Sequence, residues 1–130
     1  ANLTVPNNQA PADPCYRVAY AALYWSATLK GTNRANIEKV KIKVPNTANN
    51  NYQDITGTVI HDITTAAAGI NPDNTQAYAC FADITSLLSP TNPNGTYTVA
   101  NVTSSEGSNG GTGLSAGWSL FIVYEDSSLP

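Results

Sequence analysis

Apolar and polar residues alternate with a period of two along most of this chain, and almost nowhere with the 3.6-residue period of a helix. The stretch Ser115 to Glu125 carries the strongest signal near the C-terminus. Trp118, Leu120, Ile122 and Tyr124 would share one face of a strand, and Phe121 and Val123 the other. Apolar residues on both faces predict a central strand covered on each side, with the remaining segments as its neighbours. The glycine-rich run Gly110-Gly111-Thr112-Gly113 leads into it.

Cys15 to Leu29 is a second long strand. Tyr16, Val18, Tyr20, Ala22 and Tyr24 fall on one face, and Ala19, Ala21, Leu23 and Trp25 on the other. Its alanines would allow a helix, but aromatic and β-branched residues at period two favour a strand. Ile37 to Val44 sets Lys39, Lys41 and Lys43 against Val40, Ile42 and Val44, the pattern of a half-exposed antiparallel strand. Tyr52 to Ile63 reads as one strand, with Ile55, Val59 and Ile63 as core candidates and Gly57 as a bulge. Ala77 to Ile84 and Thr96 to Thr103 complete the set. Asp83 is placed to cap a short helix over 84–88, which Ser89-Pro90 stops.

Turn signals separate these elements. They are Lys30-Gly31-Thr32-Asn33, Asn49-Asn50-Asn51 after Pro45, Asn71-Pro72-Asp73-Asn74 in the long connection 64–76, and Asn94-Gly95. About six strands with one short helix near 84–88 predict an all-β fold, an antiparallel β-sandwich. Jelly-roll and immunoglobulin-like topologies both stay open. Residues 1–14 hold Pro6, Pro11 and Pro14 and read as an N-terminal arm or linker, or as an edge strand at Leu3 to Val5. Residues 15–130 form the sandwich, either as a whole domain or as part of a larger one.

Composition narrows the function classes. Charged residues make up only 12%, about half the usual share, and fifteen Asn and fifteen Thr supply the missing polarity. The net charge of −3 provides no basic footprint for nucleic acid, and no apolar run is long enough for membrane insertion. Methionine is absent, so processing or excision from a longer precursor is expected. Cys15 and Cys80 are the only cysteines. Read as a disulfide, they suit an exported domain, and closing so long a loop would stabilise it by about 4 kcal/mol. The alternative is two free thiols in an intracellular core.

Catalytic and metal signatures are weak. His61 is the only histidine and has no second ligand at zinc spacing. The loop 104–113 lacks the Lys-Ser/Thr ending of a phosphate loop, and Asn71-Pro72-Asp73-Asn74 has too few carboxylates for a calcium cage. The lysine stripe reads as a cationic surface or as a solvated face that guards an edge. No cofactor is expected. The sequons at Asn2, Asn94 and Asn101 matter only where the source glycosylates.

Three phrases taken together carry a resemblance: Ala21-Ala22-Leu23-Tyr24-Trp25; Phe81-Ala82-Asp83-Ile84-Thr85-Ser86-Leu87-Leu88 followed by Gly95-Thr96-Tyr97-Thr98-Val99-Ala100; and Ala116-Gly117-Trp118-Ser119-Leu120-Phe121-Ile122-Val123-Tyr124-Glu125-Asp126. In that order they resemble a module of large Bacteroidetes cell-surface adhesins of the gliding-motility type, exported by type IX secretion. The resemblance implies a secreted, extracellular, non-enzymatic β domain. Its partners would be other domains of the same surface protein or neighbouring subunits. Two further readings stay open. One is a carbohydrate-binding module that stacks glycans on exposed aromatic residues. The other is a fibre subunit that exchanges strands with its neighbour.

Overall fold

In the computed structural model, which describes residues 1–4, 16–30, 34–62, 75–106 and 114–126, the centre is not the strand that the pattern puts there. Among the described residues nine strands follow in chain order: β1 (Asn2–Leu3), β2 (Tyr16–Lys30), β3 (Lys39–Lys43), β4 (Gln53–Thr56), β5 (Thr58–Asp62), β6 (Thr75–Asp83), β7 (Gly95–Thr96), β8 (Thr98–Ala100) and β9 (Ala116–Asp126). They form antiparallel sheets in the orders β5-β6-β2-β9, β4-β3-β8 and β1-β7. Tyr97 alone separates β7 from β8, and it exchanges backbone hydrogen bonds with Ala1, so β1 extends the second layer. The fold is an all-β antiparallel sandwich, as its alternation predicts.

β2, not β9, lies inside the larger sheet. It pairs with β6 from Ala22↔Asp83 to Lys30↔Thr75 and with β9 from Tyr16↔Asp126 to Ala27↔Ala116. β9 is an edge strand. Its Trp118, Leu120 and Ile122 pack against the core only in part, and Phe121 and Val123 are exposed on the other face. The β2–β9 register shifts between Val18 and Tyr20. This bulge turns Val18 toward the core with Ala21, Leu23, Trp25, Ala27 and Leu29, and leaves Tyr20 on the outer face with Ala22 and Tyr24. Strict period two had put Val18 beside Tyr20.

The expected strand Tyr52–Ile63 is two strands in two different sheets. At Gly57 the chain leaves β4 in one layer and enters β5 in the other, with the Gly57 N–H donating to Glu38 O at 2.8 Å. Only glycine fits this passage. A Cβ there would overlap the Trp25 ring and lie 2.5 Å from the Phe81 carbonyl oxygen. Ile55 is half-buried as expected, but Val59 is exposed on the edge strand β5.

The expected helix near 84–88 is a single 3-10 turn, Thr85–Leu87, with Ile84 in the cap position. Asp83 acts one residue earlier, where its Oδ1 accepts from the Thr85 N–H at 2.9 Å and from Thr85 Oγ1 at 2.6 Å. At the N-terminus, Asn2–Leu3 pair with Thr96 and Gly95, so these residues belong to the sandwich and not to an arm. Residues 5–14 of the arm, the turns at 31–33 and 71–74, Ile63 and the loop at 107–113 lie outside the described residues.

The expected Cys15–Cys80 disulfide is corrected by the register. Cys80 is a buried free thiol, and its Sγ donates to Ile37 O at 3.4 Å. It lies opposite Trp25, nine residues along β2 from Tyr16. At about 3.3 Å per residue that is roughly 30 Å, whereas a disulfide holds its Cα atoms within about 7 Å. Cys15 itself lies outside the described residues.

Candidate functional site

The singled-out chemical groups do not converge. His61 is exposed on β5 opposite Ala79. Its neighbour Asp62 turns inward and is clamped by Arg34, with Nη2 to Oδ1 at 2.6 Å and Nε to Oδ2 at 3.3 Å. Arg34 Nη1 also donates to Gln76 O, and its guanidinium lies over the Tyr78 ring. This half-buried clamp ties the residues before β3 to β5 and β6. No local pattern in the sequence marks Arg34. Among the described residues no group of three His, Cys, Asp or Glu side chains is arranged to hold a metal, and no helix is long and apolar enough to cross a membrane.

The lysine stripe guards no sheet edge, because β3 lies between β4 and β8. Val40 and Ile42 are buried while the lysines face out, and Lys41 pairs with Asp54 across β3–β4. The buried polar groups serve the core. The Trp25 indole donates to Ile37 O at 2.8 Å and the Tyr78 hydroxyl to Thr103 O at 2.7 Å. Burial pushes the Tyr78 hydroxyl up to about 12, with Cys80 adding to the effect. Burial likewise pushes the Cys80 thiol up to about 11, with Glu38 and Asp62 adding to it. A thiol held this strongly protonated is a poor nucleophile.

Two surfaces remain. The first is the outer face of the four-stranded sheet. Cross-strand register sets Tyr24 beside Phe81 on one side and Ser119 on the other, and Ala22 beside Asp83 and Phe121. Ala22 is fully covered although it faces outward. Tyr24 is 38% exposed, Phe121 54% and Val123 42%. The Tyr24 and Phe81 rings lie 5.3 Å apart, tilted by 41°. Tyr20 lies on the same face, and its hydroxyl is raised by desolvation first and then by Tyr24 and Asp83. The hydrogen bonds from Thr85 hold the Asp83 carboxyl below its usual range.

Beyond Tyr24 lies a depression of about 370 Å³ lined by Tyr24, Ser26, Ala79, Gly117 and Ser119, with Trp25, Cys80 and Trp118 completing the lining. A Cβ added at Gly117 would meet nothing within 4 Å.

The second surface is the free edge of β9. Thr28 N–H donates to Ser115 O at 2.9 Å. Backbone direction alternates along a strand, so Trp118, Leu120 and Ile122 aim their N–H and C=O groups away from β2. Among the described residues no strand lies beyond them. A groove of about 600 Å³ runs between the start of β9 and the residues Ala1–Leu3 and Tyr97 of the opposite layer. The sandwich is crossed by the chain at its β4–β5 side and open at its β1–β9 side. Compared with family models, with curated proteins and with solved structures, the chain matches none of them.

Proposed function

We propose that this domain is a non-enzymatic structural and adhesive module of a secreted bacterial cell-surface protein, and that it joins a neighbouring copy along β9. One observation carries the reading: an eleven-residue strand, apolar on both faces, lies at a sheet edge with no Pro or Lys to protect it. Natural sheets blunt such edges unless pairing is their use. Half-buried Trp118, Leu120 and Ile122 leave the core incomplete on this side, and an added strand would finish it.

The strand is also self-complementary. Two antiparallel copies centred on Phe121 would set Leu120 of each opposite Ile122 of the other. Glu125 and Asp126 would face Gly117 and Ala116 rather than each other, so no like charges meet. Placement outside the cell rests on the resemblance and on the uncharged, Asn- and Thr-rich composition. The cysteines contribute nothing to it, because Cys80 is unbridged.

Sedimentation velocity over a concentration series tests the assembly. Reversible self-association is expected, and it should disappear in a Phe121→Lys/Val123→Lys variant that keeps its β spectrum. A wild-type monomer at every concentration up to about 1 mM overturns the reading, as does equal association by the variant.

A further inference from the structure

We propose that the depression beside Tyr24 binds a neutral glycan, with one sugar ring stacked on Tyr24. The inference gives the adhesive reading a ligand class, at a site separate from the β9 edge.

The wall of the depression is preorganised. Tyr24 is held by its cross-strand partner Phe81 and by the two strands that flank β2, so its exposed face needs no rearrangement to receive a ligand. A rigid aromatic anchor presents a large apolar area at low entropic cost. The floor is clear for a specific reason. Ser26 pairs with Ala79 on one side and with Gly117 on the other, and Tyr24 pairs with Ser119. Four small residues from three strands therefore meet next to one ring. At about 370 Å³ the space lies near the lower end of the roughly 300–1,000 Å³ typical of small-molecule sites.

The chemistry of the lining selects the ligand. Ser26 and Ser119 are exposed, and their hydroxyls have no partner among the described residues. Each offers one donor and two acceptor positions. No charged side chain lines the depression. An ionic ligand would find no counter-charge, and a nucleic acid would find no lysine or arginine. A purely apolar ligand would cover two hydroxyls without hydrogen-bonding them, which is costly. A sugar ring fits all three constraints, with an apolar C–H face for Tyr24 and neutral hydroxyls for the serines.

The test titrates ¹⁵N-labelled protein with neutral hexasaccharides of glucose, xylose, mannose and galactose, and with a polygalacturonate hexasaccharide as the charged control. At least one neutral hexasaccharide should bind saturably, with Kd of about 1 mM or tighter, and shift the amides of Tyr24, Ser26, Gly117 and Ser119. Tyr24→Ala should weaken that binding at least about tenfold. Gly117→Leu should abolish it by filling the depression while leaving the melting temperature within about 2 °C, since its side chain enters open space. The Phe121→Lys/Val123→Lys variant should keep its sugar affinity while losing self-association, so failure of the edge reading and failure of this one give different results. The proposal is overturned if no neutral hexasaccharide saturates, if Gly117→Leu binds like the wild type, or if the charged control binds tighter than every neutral one.

Discussion

Gly57 and Gly117 are both glycines in strand-rich surroundings, yet adding one methyl group to each should have opposite effects. A Cβ at Gly57 would lie 2.5 Å from Phe81 O and 3.1 Å from its carbonyl carbon, besides overlapping the Trp25 ring. Cβ contacts closer than 3.0 Å essentially do not occur. The ring could rotate away only by giving up its bond to Ile37 O. The Phe81 carbonyl cannot yield, because β6 is paired there to Tyr24 of β2 and Thr58 of β5. Overpacking against movable side chains costs roughly 1–3 kcal/mol, and a clash with a paired backbone belongs at the upper end, about 3 kcal/mol or more.

For 130 residues the unfolding entropy is about 0.27 kcal/mol per degree, so that cost lowers the melting temperature by roughly 10 °C. At Gly117 nothing lies within 4 Å of the added atom. There Gly→Ala should be neutral or should stabilise by about 0.4–1 kcal/mol, by restricting the unfolded chain. Differential scanning calorimetry of Gly57→Ala and Gly117→Ala, run side by side, makes the comparison. Equal shifts for the two variants would refute the steric account of the sheet crossing at Gly57.

Four other outcomes are expected. In a Cys15→Ser background, the Cys80 thiol should resist Ellman's reagent at pH 8 in native protein and react fully in denaturant; prompt native labelling would contradict its burial. Cys80 and Tyr78 both hold their protons more tightly folded than unfolded, so their contribution is fully present below about pH 9 and is lost as pH climbs toward 11 and 12. Melting temperatures should therefore fall between pH 9 and 11, and fall less in Cys80→Ala. Arg34→Met leaves the Asp62 carboxylate, whose side chain is 17% exposed, without its bidentate partner. Urea titration should show a loss of about 2–3 kcal/mol, against less than about 1 kcal/mol for Lys41→Met at the exposed pair with Asp54. Tyr97→Phe removes a buried 2.6 Å bond to Pro93 O and should cost about 1–2 kcal/mol in the same titration.

The sequence by itself determined the secondary structure type, most strand positions and which residues of β3 and β9 share a face. These follow from backbone alternation at period two, a local property. It also determined the aromatic and hydroxyl content from which the candidate surfaces are made.

Only the tertiary structure decided which strand is central. Apolar residues on both faces of β9 match a covered strand and an exposed edge equally well, and long-range pairing chooses between them. The bulge at Val18 and Tyr20 was invisible because it shifts the face of a side chain by one residue, and the sheet change at Gly57 because a strand's own pattern does not say which sheet it joins; only the partner strands show either. Cysteine spacing could not exclude a Cys15–Cys80 bridge, because sequence separation says nothing of the length of extended strand between Tyr16 and Trp25. The floor beside Tyr24 is the clearest case. Ser26, Ala79, Gly117 and Ser119 are unremarked in sequence and become one depression because three strands pair in a single register.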